Sequence, residues 1–171
     1  LFRSGGEPAI WVGHDWGSIV AGAVAAHEGP RCRGVVLTSW AYFPEANSLA
    51  TLVALVDRKT YPADDYPEGQ WDYYRYYTTH FESAVADLDA DLAASLASIF
   101  RPGNPASVGA ISPNAVVQRN GGRFGAAHHA PPTDPDPALW PTADFEALVR
   151  VFEVHGFGPG CAWYLNDEAA L

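Results

Sequence analysis

The chain has 171 residues, of which 48% are apolar and 18% charged, enough for one domain with a real core and too apolar for a disordered chain. Its formal net charge of −10 argues against nucleic acid and against an anionic membrane surface as partners. The longest apolar run, near Ile19–Ala26, is far shorter than the ~20 residues that span a bilayer, and no basic segment followed by an apolar one opens the chain as a signal peptide would.

Two cysteines, Cys32 and Cys161, stand far apart with no metal-ligand spacing, which fits reduced thiols in a cytoplasmic protein. No metal or other cofactor is called for. Methionine is absent throughout, even at position 1, so the expectation is an internal piece of a longer protein; a mature chain trimmed by processing is the alternative.

Ala9-Ile10-Trp11-Val12-Gly13 is a short run of strand formers, bounded upstream by Ser4-Gly5-Gly6 and Pro8, and reads as a buried strand. Ser18 to Glu28 is rich in Ala with Ile19, Val20 and Val24, good material for a buried helix, and Gly29-Pro30 stops it. Gly34 to Ser39 is a second buried strand. Strand, helix, strand at this spacing is a βαβ unit, with parallel pairing in a sheet covered on both faces.

After Pro44 the character changes. Residues 61–81 are dense in aromatic side chains. A long helix is expected from Glu82, with Val85, Leu88, Leu92, Leu96 and Ile99 along one face and Arg101-Pro102-Gly103 ending it. Residues 103–141 are rich in Gly, Pro and Asn and read as loop. A last helix is expected with Thr142 as N-cap, Asp144 and Glu146 in its first turn, an apolar face of Phe145, Leu148, Val149 and Phe152, and Gly156 as its stop. A helical block following a sheet strand is how a lid is built over a small-molecule site.

The chemistry concentrates in Val12-Gly13-His14-Asp15-Trp16-Gly17-Ser18, which fits G-x-nucleophile-x-G with aspartate as nucleophile. That pattern belongs to a sharp strand-to-helix turn that holds the reacting side chain above a sheet, and the predicted strand before it and helix after it supply the required setting. Gly13 and Gly17 let backbone approach closely, and the backbone N–H of Trp16 is placed to hold an oxyanion. A carboxylate is ionised at neutral pH and attacks an activated or strained carbon without a base; the resulting ester must then be hydrolysed. The plainer alternative makes this an ordinary turn in which Asp15 caps the helix, and another makes Ser18 the nucleophile.

Trp11 to Ser18 resembles the nucleophile segment of the epoxide hydrolases of the α/β-hydrolase superfamily. Two later segments agree: Trp71-Asp72-Tyr73-Tyr74-Arg75-Tyr76-Tyr77, and Asp144-Phe145-Glu146 through His155-Gly156-Phe157-Gly158-Pro159-Gly160-Cys161-Ala162-Trp163-Tyr164-Leu165-Asn166. The resemblance implies a partial α/β-hydrolase core over 1–44 carrying the nucleophile elbow, a helical cap over 45–165, and the start of a return to the core over 166–171. It implies that Asp15 attacks a small hydrophobic epoxide, that Tyr76 and Tyr164 assist ring opening, and that water then releases a vicinal diol. Tyr73, Tyr74 and Tyr77 are the other choices for the first tyrosine, because Thr78 stands where the family has Gln. Two phenols suit the task, since an epoxide oxygen leaves as an alkoxide and needs a proton; packing is the plainer role for any one tyrosine of the cluster.

His14, beside the nucleophile, reads as a positioning or packing residue, and His128-His129 as loop residues. The family's histidine base, its acidic partner and its upstream His-Gly-x-Pro loop would lie outside this sequence, so the isolated chain is not expected to turn over. A homodimer is compatible with the reading. A haloalkane dehalogenase shares the aspartate and the following tryptophan, but halide departure needs N–H donors rather than phenols. A ligand-binding protein that kept the fold and lost the chemistry is the rival from outside enzymes.

Overall fold

The computed structural model describes residues 6–43 and 48–166. They fall into two compact units, the first ending before residue 48 and the second beginning there. The expected return to the core lies outside the described residues from 167 onward. Among the described residues the architecture is mixed α/β: a parallel sheet of two strands and seven α-helices.

In the first unit, strand β1 (Ala9–His14) and strand β2 (Cys32–Thr38) pair in parallel, with Trp11 opposite Val35, Gly13 opposite Leu37 and His14 opposite Thr38. Helix α1 (Trp16–His27) makes the crossover and packs on both strands. Ala21 and Gly22 are buried in its packed face, and a Cβ on Gly22 would sit 2.5 Å from that of Tyr42, so glycine is what lets the Tyr42 ring lie against the helix. Among the described residues of this unit the sheet is not covered on both faces as expected. Ile10 and Val12 are 66% and 70% exposed, because one helix covers only one face of a pleated pair and alternate side chains point the other way.

The second unit is helical: α2 (Leu49–Ala54), α3 (Asp72–Thr79), α4 (Phe81–Asp89), α5 (Leu92–Ile99), α6 (Thr142–His155) and α7 (Gly158–Cys161), joined by loops and short 3-10 turns. The single helix expected from Glu82 to Ile99 is two. Asp91 adopts an extended conformation and accepts a hydrogen bond from the Ala94 N–H at 2.9 Å, capping α5. The buried Ser95 hydroxyl donates to the Leu88 carbonyl near the end of α4 at 2.8 Å, so a polar group beyond the break repairs the helix end before it. Leu88 and Leu96 are buried despite the break, which is why an unbroken apolar period masked it.

Helix α6 starts one residue earlier than expected. Pro141 holds the cap position, Thr142 is already helical, and no side chain caps the end. Gly156 ends it as expected, with φ 61° and its N–H donating to the Phe152 carbonyl. A Cβ there would lie 2.7 Å from Asp89 Oδ2, so the glycine also makes room for that carboxylate, which accepts from the Phe157 N–H at 2.8 Å.

Candidate functional site

The elbow is built as tightly as a chain allows. β1 ends at His14, α1 begins at Trp16, and Asp15 alone makes the turn with φ 53° and ψ −126°. That is a strained conformation for a residue with a side chain, of the sort held in place only where surrounding structure fixes it. The surroundings do so. The Asp15 N–H donates towards the Thr38 carbonyl and Ser39 Oγ, each at 3.3 Å, and its carbonyl accepts from the Ser18 N–H at 2.9 Å.

Gly13 is the steric condition for this turn. A Cβ on it would stand 2.1 Å from the Gly17 carbonyl oxygen, a backbone collision. Gly17 is different: a Cβ there meets nothing within 4 Å, so the two glycines of the motif do not share one role.

Ser18 is fully buried, and its hydroxyl lies 2.8 Å from the Gly13 carbonyl and 2.9 Å from that of Thr38. The Thr38 hydroxyl donates to the same Gly13 carbonyl at 3.0 Å. Ser18 is therefore a clamp between the ends of the two strands, and a buried, bonded hydroxyl does not act as a nucleophile. The Asp15 carboxylate is exposed and makes no capping hydrogen bond, so helix capping does not account for it. His14 is exposed on the last position of β1, and Trp16, half-buried, is the first residue of α1 and places its backbone N–H at the positive helix end.

In the helical unit, Tyr164 is surrounded by other tyrosines in edge-to-face contact: Tyr74 at 4.8 Å between ring centroids, Tyr77 at 5.0 Å and Tyr73 at 5.6 Å. Tyr73, Tyr77 and Tyr164 line a cleft of about 370 Å³. Tyr74 is almost wholly buried. Tyr76 is not brought to this cleft. It is also buried, its ring stacks on His80, and its hydroxyl donates to the Gly121 carbonyl at 3.1 Å. Of the candidates for the first tyrosine, Tyr73, Tyr74 and Tyr77 all contact Tyr164, and only Tyr73 and Tyr77 share the cleft with it. Thr78, which replaces the family's Gln, lies with its hydroxyl 3.0 Å from the Tyr74 carbonyl and 3.3 Å from that of Tyr164.

Burial pushes the Tyr77 phenol up to about 12, against the pull of the neighbouring Arg123 guanidinium, so at neutral pH Tyr77 holds its proton. Tyr76 is raised too, first by burial and then by the charge of Asp87. Four contributors carry no signal in the sequence. The hydroxyls of Thr38 and Ser39 support the elbow, and no spacing rule announces them. Arg123 enters the aromatic cleft from a loop of no periodicity. His128, expected to be a plain loop residue, sets Nδ1 3.0 Å from Oδ1 of the buried Asp87. Among the described residues no cluster of three or more His, Cys, Asp or Glu side chains is arranged to hold a metal, and no helix is long and apolar enough to cross a membrane.

No protein-family model matches the chain, and no curated protein matches it.

Proposed function

We propose that the chain carries the nucleophile and the cap tyrosines of an α/β-hydrolase-type epoxide hydrolase. The observation that carries this reading is Asp15 itself. A carboxylate that neither caps the helix nor is buried is held at a strained turn between strand and helix, and a clamp of Ser18 and Thr38 hydroxyls fixes the turn beneath it. Strain of this kind suits a residue that must be presented to a reactant.

In the proposed reaction an Asp15 carboxylate oxygen attacks an epoxide carbon, and the bond from that carbon to the ring oxygen breaks. The oxygen takes a proton from a phenol, with Tyr164 and either Tyr73 or Tyr77 as donors. The product is a hydroxyalkyl ester on Asp15. Water then cleaves the ester, releasing a vicinal diol and restoring the Asp15 carboxylate, and the proton freed in this step returns to the phenolate.

The test is single-turnover alkylation. The chain is incubated with excess styrene oxide, with a bromoalkane in parallel, and digested for peptide mass spectrometry. The expected result is one adduct of styrene oxide on the peptide containing Asp15, absent from Asp15→Asn. Failure to alkylate, or an adduct that persists in Asp15→Asn, overturns the reading. An adduct with the bromoalkane alone transfers it to dehalogenation.

A further inference from the structure

The aromatic cleft of the helical unit has one charged wall. Tyr73, Leu88, Ile99 and Phe157 present ring and aliphatic surface to it, and Arg123 supplies the single cation. Arg123 and Tyr77 line the same cleft. Among the described residues Arg123 forms no ion pair: the pairs join Arg31 with Glu28, Arg75 with Glu68, His128 with Asp87, and Arg150 with Glu146. Arg33, Arg58, Arg101 and Arg119 also form no ion pair among the described residues, but of these arginines only Arg123 lines this apolar cleft. On α4, Asp87 faces His128 Nδ1 and Asp89 accepts from the Phe157 N–H.

We infer that this cleft binds a ligand with a carboxylate on an apolar body about the size of a phenylpropanoid, and that Arg123 is the counter-ion. A guanidinium presents a planar fork of N–H donors that matches a carboxylate in two parallel hydrogen bonds. Tyr77 lines the same cleft and, protonated at neutral pH, is a further donor for the same group. The volume of about 370 Å³ lies within the range for a small-molecule site and takes one ring with a short tail against the apolar walls. Pairing there is worth more than on an open surface, because the aromatic walls displace water from one side of the ion pair.

The experiment is isothermal titration of the full chain with trans-cinnamate and with cinnamyl alcohol, which share the body and differ in charge. Cinnamate is expected to bind on the order of tenfold tighter at low salt, and the margin narrows as salt rises. In Arg123→Gln the margin collapses to about twofold or less, and Arg123→Lys keeps part of it. Equal binding of the two by the unaltered chain overturns the inference, as does no binding of either, or a margin that survives Arg123→Gln. A cinnamate preference in a chain that styrene oxide fails to alkylate leaves the cleft standing and removes the nucleophile reading instead.

Discussion

The two glycines of the elbow are expected to respond in opposite directions to the same substitution. In Gly13→Ala the new methyl would lie 2.1 Å from the Gly17 oxygen, 2.4 Å from its carbon and 2.6 Å from the Ser18 nitrogen. All three are backbone atoms, so no side chain can swing aside, and strand end and helix start must part by about 1 Å. That movement stretches the Ser18 and Thr38 hydrogen bonds to the Gly13 carbonyl. Overpacking of about 1–3 kcal/mol plus about 1 kcal/mol for a weakened buried hydrogen bond gives a loss near 3 kcal/mol. Gly17→Ala meets open space at a helical position and stabilises by roughly 0.5–1 kcal/mol. Hydrogen exchange read by mass spectrometry on peptides from β1, α1 and β2 separates the cases within the first unit alone. Amides there exchange about a hundredfold faster in Gly13→Ala and a few-fold slower in Gly17→Ala. Equal loosening by both, or no loosening by Gly13→Ala, refutes the steric account of the turn.

Two further outcomes follow from the geometry. Asp15→Gly removes a side chain from a strained backbone without removing a helix cap, so the first unit gains about 1 kcal/mol while alkylation is lost; a destabilised Asp15→Gly in urea unfolding would show the turn to be unstrained. The helical unit is expected to weaken in alkali. Burial raises the Cys161 thiol from its ordinary 9.0 to about 11, and the Tyr77 phenol from 10.0 to about 12. Both groups are neutral when folded, so their contribution is complete below the ordinary values. It is lost as pH climbs through the raised ones, where the unfolded chain releases protons that the folded chain holds. Unfolding midpoints by circular dichroism therefore fall between pH 9 and about 12, and Cys161→Ala removes the lower part of that fall. A flat alkaline limb contradicts the burial of both groups.

The sequence by itself determined the βαβ unit, because strand formers, an Ala-rich helix and a Gly-Pro stop act over a few residues each, and the observed elements lie within about two residues of where those signals put them. It also singled out Asp15, since a turn of one residue between strand and helix leaves a local trace in Gly13 and its neighbours. The division of the Glu82–Ile99 stretch was also written locally, in Asp91 as a cap, but an apolar period that runs through the break concealed it. Other features belong to the tertiary structure alone. That Ser18 clamps and Asp15 stands free depends on Thr38, twenty residues away along the chain from Ser18. That Tyr73 and Tyr77 meet Tyr164 while Tyr76 turns to Gly121 depends on which side of α3 faces the turn at Ala162–Asn166 and which faces the 121–128 loop, and adjacent tyrosines look alike in sequence. Arg123 reaches the cleft because its loop folds back on α3 and α4, a long-range event that no local period encodes.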